Sequence, residues 1–220
     1  MNTDDSLMST QNLILQYQQA FIEHGDVAAG VLWPRGRQHL RFDALTKHFP
    51  RDGFSVLDYG CGLGHLKDYL DERYSCFQYY GADLVPEFIK ALSEKHPNVN
   101  TSLVHSYEDF STSVDHVVIS GTFNIIADGN RASYIEKVKA ALLHLFSLTR
   151  VSLAVNFMTD RVDYIQPHAL HMNAGDIVSF ARSHLSPRLI LDESYMPYEF
   201  TLVVLKDEQI IRPDNIYKVL

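Results

Sequence analysis

The chain has 220 residues, enough for one domain with a sizeable core, and its 46% apolar and 21% charged residues are ordinary for a globular protein in water. A formal net charge of −8 argues against a nucleic-acid partner, because the densest basic cluster, Arg35, Arg37 and Arg41, can meet one acidic group but cannot track a phosphate backbone. No run approaches ~20 apolar residues, so no membrane partner is expected. Cys61 and Cys76 form no disulfide framework, and the polar stretch Met1 to Gln11 lacks a signal peptide's apolar core, so the expected setting is cytoplasmic.

In chain order, Leu7 to Glu23 is predicted as a helix with Leu13, Leu15, Tyr17, Phe21 and Ile22 as apolar positions. A glycine-punctuated loop, His24 to Trp33, leads to a second helix from Gly36 to Phe49, with Leu40, Ala44, Leu45 and His48 at helical spacing. Strands and helices then alternate. The predicted strands are Phe54 to Asp58, Phe77 to Ala82, Val99 to Val104, Val114 to Ser120 and Val151 to Phe157. The helices between and after them are Leu63 to Glu72, Pro86 to His96, Ala132 to Leu148 and Ala174 to His184. Pro86 suits a first helical turn. Two closing strands, Arg188 to Ser194 and Glu199 to Leu205, flank a tight turn at Met196-Pro197. Alternation of this kind implies a doubly wound, mostly parallel α/β sheet, with the closing hairpin placing its last strand antiparallel. The expected organisation is an N-terminal helical cap (1–50), the sheet domain (51–207) and a short tail (208–220).

The chemistry concentrates in Val56-Leu57-Asp58-Tyr59-Gly60-Cys61-Gly62-Leu63-Gly64, a buried strand ending in an acid and followed by a glycine turn that opens a helix. Glycines let a ligand approach the backbone of such a turn. A dinucleotide fingerprint needs G-x-G-x-x-G, and here its third position is His65. Asp58 would also repel a pyrophosphate. Asp83, at the tip of the next strand, can accept hydrogen bonds from a ribose diol. A ligand with a ribose and positive charge but no phosphate fits this pattern, and S-adenosylmethionine is such a ligand. Cys61 reads as a small filler at a crowded turn.

These residues resemble the D-x-G-x-G-x-G motif of class I S-adenosylmethionine-dependent methyltransferases, matched by Asp58, Gly60, Gly62 and Gly64. The resemblance covers roughly Phe54 to Lys206, with the family's ribose acid at Asp83 and its fourth-strand motif at Asp115 to Gly121. It implies a seven-stranded sheet in the order 3-2-1-4-5-7-6 with the last strand antiparallel. It also implies methyl transfer to an oxygen or nitrogen of a small-molecule acceptor. Alternatives are a protein methyltransferase, a non-catalytic relative of the fold, and a nucleotide-binding oxidoreductase, the last disfavoured by His65 and Asp58. The resemblance assigns the cofactor to Asp58, Gly60, Cys61, Gly62, Gly64, Asp83, Leu84, Ser120 and Gly121, and Tyr59, next in the turn, is a candidate either to line the cofactor cleft or to pack. Ser106 and Tyr107 stand near the adenine, where the family's usual aspartate is absent, and Arg41 or Gln38 is a candidate for the methionine carboxylate.

The acceptor-side candidates are weaker. Asn124 is a candidate to orient a substrate or to turn the chain, and Trp33 to cover the site or to pack. His168 and His171, three apart in the loop after the fifth strand, are candidate general bases, as is Glu199. A metal is not expected: no acid closely follows the fourth strand, and imidazoles suit magnesium poorly.

Overall fold

The computed structural model describes residues 9–33, 37–127 and 129–206. The predicted start of the first helix at Leu7, the start of the second at Gly36 and the tail 208–220 lie outside the described residues, as does Arg35. Helix α1 (Thr10–His24) begins at Ser9, whose hydroxyl accepts the Asn12 N–H (3.1 Å), and stops at Gly25 with φ 70°. It buries only the stripe running through Leu13, Tyr17, Ala20 and Phe21. Leu15 and Ile22, also named as apolar positions, are 55% and 77% exposed. After a single 3₁₀ turn at Ala28–Val31, α2 (Gln38–Thr46) buries Arg41, Phe42, Ala44, Leu45 and Thr46.

The sheet comprises β1 (Phe54–Tyr59), β2 (Phe77–Asp83), β3 (Asn100–Leu103), β4 (Val114–Ile119), β5 (Thr149–Thr159), β6 (His171–Met172), β7 (Leu189–Asp192) and β8 (Glu199–Leu205). Its order is β3-β2-β1-β4-β5-β8-β7, with β6 pairing the end of β5. Apart from β6, this is the expected 3-2-1-4-5-7-6 order. The two-residue strand falls where the sequence suggested only loop, since two residues carry no readable period. β8 runs antiparallel to β5 and β7, and the other pairings are parallel.

Helices α3 (His65–Asp71), α4 (Pro86–Lys95), α5 (Arg131–Leu148) and α6 (Ala174–His184) cover the faces together with α2. Successive strand residues point to opposite sides. Leu57, Val117, Leu153 and Leu202 enter one core with Leu142 of α5, while Val56, Val118, Ala154 and Val203 enter another with Leu45 of α2 and Leu70 of α3. Burial on both faces is why these strands read as continuous apolar runs. Within the second core side, the buried Ser152 hydroxyl lies 2.5 Å from His48 Nε2 and 2.7 Å from His116 Nδ1, and Phe49 stacks on His116. At the sheet's other end, α1 closes over the strand tips: Tyr17 and Phe21 meet Phe88 of α4 edge-on, at centroid distances of 5.7 and 5.8 Å.

Candidate active site

β1 lies between β2 and β4, so the chain leaves it in opposite directions on its two sides and a crevice opens at its carboxyl end. The cavity there has a volume of about 450 Å³. Its floor is the glycine turn. Gly60 sits at φ 79°, and a Cβ there would lie 2.2 Å from Thr122 Oγ1. Gly64 sits at φ 80°, where a Cβ would lie 2.4 Å from Leu92 Cδ1. Backbone conformation and close packing therefore both require glycine at these two positions. The Thr122 hydroxyl donates to the Tyr59 carbonyl (2.7 Å), fastening the turn after β4 to the turn after β1.

Two buried carboxylates face this cavity. Asp58 Oδ2 accepts the Tyr79 hydroxyl at 2.7 Å. Burial pushes its carboxyl up to about 7; the Tyr79 hydrogen bond opposes the rise and neighbouring Asp83 adds to it. Asp83 accepts the N–H groups of Gly62 (2.8 Å) and Val85 (2.9 Å). Burial raises its carboxyl too, against the pull of those backbone donors. Among the described residues, neither acid has a basic partner. The cavity thus presents two carboxylates whose charge burial penalises, a situation relieved by a cationic occupant.

The opposite wall carries a fixed polar chain. Arg41 Nε donates to Glu199 Oε2 (2.9 Å) and Nη2 to Oε1, forming a fork at a buried site. Asn156 of β5 donates to the same Glu199 Oε2 (3.1 Å) and accepts the Gly121 N–H (2.7 Å). The Trp33 ring lies over the guanidinium, 3.8 Å from centroid to Cζ. The third guanidinium nitrogen, Nη1, faces Gly121, where an added Cβ would stand only 2.8 Å away.

Of the residues expected at the cofactor, Asp58, Gly60, Cys61, Gly62, Asp83, Leu84, Ser120, Gly121 and Arg41 line the cavity. Gln38, Asn124 and Trp33 line it as well. Tyr59, Gly64, Ser106 and Tyr107 are not on its wall. Tyr59 packs toward Phe123, and Gly64 caps α3. Ser106 caps the short 3₁₀ turn Tyr107–Asp109 by accepting the Glu108 N–H, and Tyr107 packs toward His144.

The candidate bases are also not on the wall. His171 is buried, with Nδ1 against the Thr159 carbonyl (2.9 Å) and Nε2 accepting the Gln166 N–H (3.3 Å). His168 is exposed. Glu199 has both oxygens committed to Arg41 and Asn156. No group of three or more metal-binding side chains occurs among the described residues.

Tyr17 and His65 also stand on the wall, where no motif pointed to them. Tyr17 looked like one more apolar position of α1, and His65 entered only as the residue that breaks a dinucleotide pattern.

Residues 56–144 match the family model described as a methyltransferase domain. A Mycobacterium tuberculosis protein assigned as a methyltransferase is 27% identical over 157 residues, covering 70% of this chain and 95% of the relative. Residues 56–144 carry a methyltransferase domain, and the chain has the class I methyltransferase fold. Among solved structures, the methyltransferase fold is similar to magnesium protoporphyrin IX methyltransferase from Synechocystis PCC 6803 with bound S-adenosylmethionine. That match has 16% identity and a TM-score of 0.61, and covers 88% of this chain and 91% of that one. It is also similar to Burkholderia thailandensis 1,6-didemethyltoxoflavin-N1-methyltransferase, at 15% identity and a TM-score of 0.63, covering 88% and 87%.

Proposed function

We propose that this methyltransferase moves the methyl group of S-adenosylmethionine to an oxygen or nitrogen of a small-molecule acceptor. The observation that carries the reading is the pair of buried carboxylates, Asp58 and Asp83, facing one cavity at the tips of adjacent strands without a cationic partner among the described residues. A sulfonium and an ammonium supply the missing positive charge. Asp83 holds the ribose hydroxyls, Asp58 and the glycine turn steady the amino-acid end, and Arg41 Nη1 takes the carboxylate beside Gly121. The segment before residue 51 acts as a cap: Leu13, Tyr17 and Trp33 complete the wall and exclude water.

The acceptor is a small molecule because the cavity is walled by side chains from both the cap and the strand tips. Two structural neighbours are named for small-molecule acceptors, a porphyrin and a demethylated toxoflavin. The protein need not form a covalent intermediate, since the sulfonium already activates the methyl group. Alignment of acceptor, methyl and sulfur supplies most of the rate. Calorimetric titration with S-adenosylmethionine, followed by an acceptor screen read by S-adenosylhomocysteine release, tests the reading. No heat on titration overturns it.

A further inference from the structure

The acceptor side of the cavity holds two buried polar atoms without a hydrogen-bond partner, Trp33 Nε1 and Asn124 Oδ1. Such atoms cost free energy unless something satisfies them. Both residues line the cavity, with Ile125, Met158 and Ala169 supplying apolar surface beside them. Asn124 lies in the turn after β4, its N–H bonded to the Gly121 carbonyl (3.2 Å), and Trp33 is held by its stack on Arg41. One atom is a fixed donor and the other an acceptor, so an occupant that satisfies both must present an acceptor and a donor of its own.

Charge narrows the class. On the cavity wall, Arg41 is paired with Glu199 and leaves only Nη1, which the proposed function gives to the cofactor's carboxylate, while His65 Nε2 lies 2.9 Å from Asp26. The two carboxylates on the wall, Asp58 and Asp83, accept from the Tyr79 hydroxyl and the Gly62 N–H, and the proposed function gives both to the cofactor. Neither an ionic acceptor of positive charge nor one of negative charge finds a free counter-ion by Trp33 and Asn124. Proton chemistry narrows it again. Alcohols, phenols and thiols become good nucleophiles by losing a proton, and none of His168, His171 and Glu199 is on the wall to take one. His65 is the remaining imidazole there. It opens α3 after the glycine turn, and its Nε2 is held 2.9 Å from Asp26.

We propose that Trp33, Asn124, Ile125 and Met158 form the acceptor subsite and that it takes an uncharged, conjugated nitrogen heterocycle, methylated at a ring nitrogen. The inference rests on the methyltransferase reading above. The ring offers an acceptor to Trp33 Nε1–H and an N–H or O–H to Asn124 Oδ1, while its flat face lies on the apolar side chains. The nitrogen lone pair forms the new N–C bond as the C–S bond breaks. That bond's electron pair stays on sulfur, so the sulfonium becomes a neutral thioether and the positive charge moves to the ring. A ring that carries an N–H then releases that proton to water.

The experiment has two stages. Calorimetry with S-adenosylmethionine comes first, and absence of heat there defeats the methyltransferase reading itself. With binding in hand, S-adenosylhomocysteine release is measured on matched panels of uncharged azines and azoles, phenols, carboxylic acids and alkylamines. Turnover of heterocycles is expected, with Trp33→Phe and Asn124→Leu each lowering kcat/KM by about tenfold or more, as loss of one buried hydrogen bond does. The Kd for S-adenosylmethionine should stay within about twofold, because Phe keeps a ring over Arg41. Turnover of the other panels alone, or of none, overturns the inference. So does a Trp33→Phe variant that loses cofactor affinity instead. A His65→Gln variant that binds cofactor normally but loses a pH-dependent kcat would make His65 a base and overturn it too.

Discussion

Arg41 of α2 and Glu199 of β8, 158 residues apart in sequence, meet as a two-pronged ion pair whose side chains are only 4% and 5% exposed. Asn156 joins that pair to the backbone of Gly121, so the position of the cavity wall depends on three elements that sequence order keeps far apart. Breaking a buried pair leaves one charge uncompensated, whereas removing both charges together need not destabilise. Glu199→Gln should therefore lower unfolding free energy by about 3 kcal/mol. An Arg41→Met/Glu199→Met double variant should recover most of that loss in urea titrations. Cofactor affinity should not recover with it, since Arg41 Nη1 is gone. A double variant that regains both properties would remove Arg41 from the cofactor site.

Asp83→Ala deletes the acceptor for the Gly62 and Val85 N–H groups as well as the proposed ribose contact. Cofactor binding should weaken by roughly 1–3 kcal/mol, the range for lost hydrogen bonds to a charged group. Calorimetry on a variant shown folded by circular dichroism measures this. Unchanged affinity refutes the ribose assignment.

Cofactor affinity should depend on pH through Asp58. Its folded carboxyl titrates at about 7 because it is buried, so below that pH the acid is largely neutral and a cationic ligand must displace a proton. Affinity is expected to rise from pH 6 to pH 8, with about one proton released per binding event at the lower pH. Tyr79→Phe removes the hydrogen bond that favours the charged form, so the rise should move to higher pH. Binding heats compared in buffers of different ionisation enthalpy report the proton directly. A flat profile would show that Asp58 does not face the ligand's charge.

Acid stability has its own signature in the pair around Ser152. Burial lowers both His48 and His116 to about 4. A depressed histidine binds its proton more readily in the unfolded chain, so each contributes stability that is present above about 6.5 and is lost as pH falls toward 4. Asp58 works in the other direction, because its raised carboxyl gives the folded state the extra proton between about 3.8 and 7. A comparison that cancels the acids is therefore needed. Between pH 6.5 and 4, His48→Gln should show a stability slope shallower than the parent's by about one proton, or ~1.4 kcal/mol per pH unit. Urea midpoints across that range decide it, and parallel slopes would mean that His48 is already protonated in the folded protein.

The glycine turn, the two strand-end acids and the alternation of strands and helices were legible in the sequence because each depends on neighbours along the chain. Positive φ at Gly60 and Gly64 leaves a local mark, and so does a strand buried on both faces. The opposite wall left none. Glu199 looked like an accessible base until its pairing with Arg41 removed both its oxygens, and His171 until two backbone groups took its ring nitrogens. Tyr17 and Ile22, similar as apolar positions of one helix, differ only by which side meets Phe88. A side chain's chemistry is set by what shares its low-dielectric surroundings. In this chain those partners come from α1, α2, β5 and β8, which are brought together only when the sheet closes and the N-terminal helices settle over its tips.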